Sequence, residues 1–149
     1  MHPFDPRSVF FAKHAQHVLL IHFPIALCLV SIAFDFIAQC AKKRVLAEVA
    51  YYNLLVAAIS TVPVVITGVL AWPWQLEGQR LKGILLLHLV LGLAASGMIW
   101  LVWSLHFRAH RNPEGRLPLY RIAIELAAAA VVSLTAHLGG FLSGVNGPG

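Results

Sequence analysis

Of the eight histidines in this 149-residue chain, three stand at equivalent places. His22, His88 and His137 each lie about five residues inside one end of a separate apolar run, roughly 8 Å deep at 1.5 Å per helical residue. His17 stands just above this level, and His14 is one turn further out. Imidazole can be buried neutral and is the commonest biological metal ligand, so histidines from several helices at one depth form a candidate ligand set. Haem b suits the pattern better than a bare ion. A small bundle can hold a porphyrin with one axial histidine from each of two helices, and Gly92, one turn beyond His88, leaves space for a flat ring. The expected iron ligands are His22 and His88, with His137 or His17 as substitutes or as hydrogen-bond partners of the propionates. A closed zinc site lacks a fourth carboxylate or thiolate at this depth unless His17 dips inward, whereas four histidines could hold copper. The competing reading is a hydrogen-bond network that only joins helices. Five residues separate His17 from His22, about 140° on an ideal helix, so both face the bundle axis only if Pro24 kinks or rotates the run.

The remaining ionisable residues read as interfacial. His106 and His110 flank Arg108 and Arg111 in what looks like a wet, basic segment, and His2 belongs to a tail. Asp35 and Glu125 sit near matching ends of the first and fourth runs, where Lys42, Lys43, Arg44 or Arg121 can neutralise them. Proton uptake at that end is the sharper alternative. The mid-membrane section then offers only Cys28, Ser31, Ser60, Thr61 and Ser133, too thin a path for a pump. No nucleophile, base and orienting acid gather in one place, so a hydrolytic enzyme has no support. Cys28 and Cys40 share one run and are too far apart to bridge.

These residues must be positioned by membrane helices. The chain is 59% hydrophobic and 11% charged, with a mean hydropathy of +0.78, against roughly 25% charged in soluble domains. A spanning helix needs about 20 apolar residues, and the sequence supplies four such runs, over 18–40, 46–71, 83–104 and 122–142. The connections, including the turn at Asn112-Pro113-Glu114-Gly115, are too short for a soluble domain. The expected fold is an all-α, up-down four-helix bundle forming one membrane domain over 1–149. Lys42, Lys43, Arg44, Arg108, Arg111, Arg116 and Arg121 outnumber Arg7, Lys13, Arg80 and Lys82 on the other side. That bias puts both termini on the outer, periplasmic side of a bacterial inner membrane. Trp72 and Trp74 suit an outer aromatic belt, and Trp100 and Trp103 an inner one. The segment Met1 to Gln16 reads as an exposed tail rather than a removable signal. With the basic residues at span ends, nucleic-acid binding is not expected.

At 100° per residue, each run carries a narrow stripe of small or polar residues. The stripes are His17, Cys28, Ser31 and Asp35 with Pro24 beside them; Asn53, Ser60 and Thr67; His88, Gly92, Ala95, Ile99 and His106; and Ala130, Ser133 and His137. Gly92 with Ser96 and the run Ala127 to Ala130 read as close-packing surfaces. No repeat of 20 to 50 residues is visible, which ranks a transporter or channel low.

The segment His17-Val-Leu-Leu-Ile-His22-Phe23-Pro24-Ile25-Ala26-Leu27, followed by Phe34-Asp35, resembles the opening of the bacterial membrane family catalogued as domain of unknown function 2231. Thr67-Gly68, His88 and His137-Leu138-Gly139-Gly140-Phe141-Leu142 also match that pattern, so the resemblance spans nearly the whole chain. The family carries a histidine and glycine pair after the double glycine, where this sequence has Asn146-Gly147. The resemblance assigns no activity. It implies likeness to four-helix, cytochrome-like membrane modules found beside redox proteins, and hence favours haem. The sequence thus points to a small membrane subunit, surrounded by lipid and other membrane subunits, that binds haem b near the periplasmic face and serves electron transfer in a redox complex. The alternative is a cofactor-free accessory subunit of a respiratory or photosynthetic complex.

Overall fold

The computed structural model describes residues 15–75, 81–112 and 117–143. They form four helices: α1 (Ala15–Ala41), α2 (Arg44–Gln75), α3 (Ile84–Arg111) and α4 (Arg121–Leu142). No strand occurs among the described residues. Each helix is long and apolar enough to cross a membrane, because a spanning segment must satisfy its backbone hydrogen bonds internally. The His2 and His14 positions, the turn residues 113–116 and Asn146-Gly147 lie outside the described residues.

The turn between α1 and α2 is tight. Lys42 adopts a left-handed φ of 52°, and the N–H of Lys43 donates to the carbonyl of Ala38 at 3.1 Å. This is the six-to-one closure that usually places glycine where Lys42 stands. The helices pack as a ring, with α1 along α2 and α3 along α4 most extensively, α2 against α3 less, and α1 against α4 least.

The interior is small and polar while the exterior is large and apolar. Cys28, Ser31, Asp35, Ala50, Ala57, Ala58, Ala95 and Ala128 are buried, whereas Phe23, Val30, Phe36, Tyr52, Ile59, Val90, Leu101 and Leu134 are exposed. Lipid is as apolar as leucine, so burying large side chains gives little drive to helix association, and small residues win the interfaces by letting backbones approach.

A repeat longer than the 20 to 50 residues considered from the sequence organises this interior. An offset of 71 residues carries the buried positions Pro24, Cys28, Ser31 and Asp35 of α1 onto Ala95, Ile99, Val102 and His106 of α3. The same offset carries Ala50, Leu54, Ala57 and Thr61 of α2 onto Arg121, Glu125, Ala128 and Val132 of α4. All sixteen are buried. The α1/α2 and α3/α4 hairpins are therefore equivalent halves. In an up-down ring such parallel repeats are related by an approximate twofold axis along the membrane normal.

Candidate functional sites at the two ends of the bundle

At one end of the bundle, His17 and His88 occupy equivalent positions in the two halves. His17 Nδ1 donates to the carbonyl of Val64 on α2 at 3.1 Å and lies 3.3 Å from Thr67 Oγ1. His88 Nδ1 donates to the carbonyl of Thr135 on α4 at 3.2 Å. Both partners are 47 residues on from their histidine. A carbonyl oxygen only accepts, so Nδ1 carries a proton in each ring, which in the neutral imidazole leaves the lone pair on Nε2. Metal-binding histidines are commonly fixed in this way, their tautomer and ring orientation set by an acceptor bonded to the other ring nitrogen.

Each ring also rests on a glycine. A Cβ added at Gly68 would fall 2.8 Å from His17 Cε1, and one at Gly139 would fall 3.2 Å from His88 Cε1. Gly68 and Gly139 are again equivalent positions, so the glycines let two imidazoles approach the backbone of the neighbouring helix. His17 and His88 are half-buried. Two neutral imidazoles, clamped through Nδ1 and related by the pseudo-twofold, have the chemistry of a two-histidine ligand set for haem iron.

The other expected ligands are placed differently. His22 is exposed, and its Nδ1 donates within its own helix to the carbonyl of Val18 at 2.7 Å. The structure therefore does not bring His22 and His88 together, because the rotation between His17 and His22 is kept and His17 takes the interior. His137 is exposed too, edge-on to Phe141 at 5.0 Å between ring centroids. Gly92 faces α4, where a Cβ would meet Thr135 Cγ2 at an ordinary 3.8 Å.

The opposite end holds a buried cluster of Asp35, Arg121 and Glu125, expected at the interface, and His106, expected in a wet segment. His106 is 4% exposed, and its Nε2 lies 2.9 Å from Glu125 Oε1. Arg121 Nη2 donates to Asp35 Oδ2 at 2.6 Å, and Gln39 Nε2 donates to the same oxygen at 3.0 Å. Arg121 Nε lies 3.5 Å from Glu125 Oε1 but makes no hydrogen bond. Asp35, Arg121 and Glu125 are all buried. Two carboxylates, one guanidinium and one imidazole thus tie α1, α3 and α4 together. Of the proposed counter-ions for Asp35, Arg121 is the partner; Lys42, Lys43 and Arg44 are exposed. The correction for His106 has a simple cause. α3 continues to Arg111, beyond the expected boundary at 104, and carries the His106 ring into the interior as the equivalent of Asp35. His110 is exposed, with its ring stacked on Tyr51 at 4.4 Å.

Oxygen and nitrogen atoms of Asp35, His106 and Glu125 lie within 4.8 Å of one another. A cation there would compete with Arg121, whose charge already sits between the two carboxylates. The cluster is better described as an internal ion network than as a metal centre.

The family model described as "Predicted membrane protein (DUF2231)" matches residues 13–147. The chain belongs to the DUF2231 family. No curated protein and no solved structure matches it. DUF2231 membership agrees with the four spanning-length helices, and the match covers both histidine positions of the paired site and all members of the ion network.

Proposed function

We propose that this protein is a small subunit of the bacterial inner membrane that binds haem b between its two halves and serves electron transfer within a larger redox complex. His17 and His88 are the axial ligands in this reading, replacing the expected pair of His22 and His88. The observation that carries it is the matched seating of the two rings: Nδ1 bonded to a carbonyl of the adjacent helix and a glycine beneath, at equivalent positions of α1/α2 and α3/α4. A bound haem would supply one-electron chemistry. The protein's own part is to hold each imidazole through its Nδ1–H and to surround the site with lipid-facing apolar side chains. The excess of basic residues near the Asp35 and Arg121 end supports a periplasmic placement of the histidine end. The repeat does not favour a transporter, because all four helices run unbroken through the described residues and offer no discontinuous segment for a substrate site.

A pyridine haemochrome assay on protein purified after haem-replete expression tests the reading. Stoichiometric haem b supports it, and its absence removes it.

One set of observations favours a cofactor-free accessory subunit. The His17 and His88 bonds already cross α1/α2 and α3/α4, and the ion network joins α1, α3 and α4. These contacts explain the buried polar groups as helix pins without a ligand. Migration as a free monomer on a blue-native gel in mild detergent would count against that alternative.

A further inference from the structure

The α1/α4 seam, the thinnest in the ring, contains a groove of about 320 Å³. Leu29, Ile32, Ala33 and Phe36 of α1 and Ile122 of α4 wall it, and Glu125 is its one ionisable residue. A carboxylate at a membrane groove is costly unless something meets it there. His106 and Arg121 approach Glu125 at Oε1, and the Arg121 Nε–H beside it is buried with no hydrogen-bond partner. The carboxylate, the member of the ion network that lines the groove, could be met there by one hydroxyl donating a hydrogen bond.

The other half of the molecule shows what a seam of this shape accommodates. Under the 71-residue offset, Leu29, Ile32 and Phe36 correspond to Trp100, Trp103 and Phe107, and Ile122 and Glu125 correspond to Tyr51 and Leu54. In that half the chain supplies flat rings itself. Trp103 meets Trp100 edge-on at 5.4 Å and stacks on Phe107 at 5.1 Å. The Trp100 N–H donates across the α2/α3 seam to Thr61 Oγ1 at 3.1 Å. On the α1/α4 side aliphatic residues replace the two indoles, a groove remains, and an acceptor replaces Leu54. The vacancy thus has the size and chemistry of a flat ring with a hydrogen-bond donor, open toward lipid.

We infer that the α1/α4 groove binds the hydroxylated ring of a quinol-type lipophile, with Glu125 accepting the hydroxyl's hydrogen bond and the apolar tail lying along the lipid face of α1 and α4. A phosphate headgroup is disfavoured, because the carboxylate repels it. The inference goes beyond the haem reading and does not rest on it. Fourteen residues of α4 separate Glu125 from Gly139, about 21 Å at 1.5 Å per residue, so the two sites are distinct.

The test measures binding of decylubiquinol to the full chain in lipid nanodiscs. Saturable binding is expected. Glu125→Gln should weaken it at least tenfold, as should methylating both hydroxyls of the probe, because a hydrogen bond to a charged acceptor is lost. Ala33→Phe fills the groove without touching the ion network and should also cost at least tenfold, which guards against a folding artefact in the Glu125 variant. Leu87→Phe, on the exposed face of α3, should bind like the parent. Absence of saturable binding, parental affinity in Ala33→Phe, or equal affinity for the dimethylated probe would each overturn the proposal. So would displacement of the quinol by oleic acid at equal concentration, which would mark a general acyl slot.

Discussion

Replacing Arg121 with methionine is the most informative single perturbation of the fold. Arg121 Nη2 lies 2.6 Å from Asp35 Oδ2, and the two side chains are 4% and 3% exposed. The variant strands Asp35 in the interior with only the Gln39 amide, and it removes the cation 3.5 Å from Glu125. Breaking one partner of a buried pair costs about 3–5 kcal/mol, a factor of roughly 150 to 5,000 in the folding equilibrium. Asp35→Leu alone should cost less, because Arg121 still has Glu125 nearby. The double variant, Asp35→Leu with Arg121→Met, leaves the His106–Glu125 pair in place and exchanges two desolvated charges for apolar contacts. Its stability should fall within about 1 kcal/mol of the parent, since apolar replacement of a whole buried pair is often neutral or better. Equilibrium unfolding in mixed micelles with increasing dodecyl sulfate reads all four proteins of the cycle. The reasoning fails if each single change costs under about 1 kcal/mol and the two effects add, because the charges would then be hydrated rather than buried together.

The glycine seats give a second test. Gly68→Ala should displace the His17 ring, 2.8 Å from the added Cβ, and lose its bond to Val64, a combined cost of about 2 kcal/mol that outweighs the helix-propensity gain, whereas Gly97→Ala, with nothing within 4 Å, should stabilise by about 0.5–1 kcal/mol from that gain alone; thermal melts of the two variants should move in opposite directions. Lys42→Gly should stabilise by about 1 kcal/mol by relieving the left-handed φ of 52°, as read in the same melts. The repeat predicts that residues 1–80 and 81–149, co-expressed as separate hairpins, reassemble into a complex that co-purifies through a tag on either half; failure of each half to capture the other would count against two self-packed halves.

Helix number was legible in the sequence because bilayer thickness dictates run length, and the α1 stripe of His17, Cys28, Ser31 and Asp35 does face the interior. The α4 stripe was not legible. Ala130, Ser133 and His137 are exposed, while Arg121, Glu125, Ala128 and Val132 form the inner face. The sequence places Glu125 at the interface with a basic neighbour, whereas in the structure Arg121 and Glu125 lie inside and offset the cost of burial through Asp35 and His106, partners lying 86 and 19 residues away. Such long-range compensation leaves no mark within a single run. The repeat escaped notice for a related reason: Asp35 answers to His106, and Leu54 to Glu125, so equivalent positions share burial and not chemistry. His17 with Gly68, and His88 with Gly139, was the one recoverable signal, a histidine and a glycine at equal separation in each half.

A reduced-minus-oxidised visible spectrum decides whether His17 and His88 together hold haem. A low-spin b-type spectrum is expected in the parent protein, lost or converted to high spin in both His17→Ala and His88→Ala and retained in His22→Ala. No haem signal after haem-replete expression, or loss of the signal in His22→Ala with retention in His17→Ala, would contradict it.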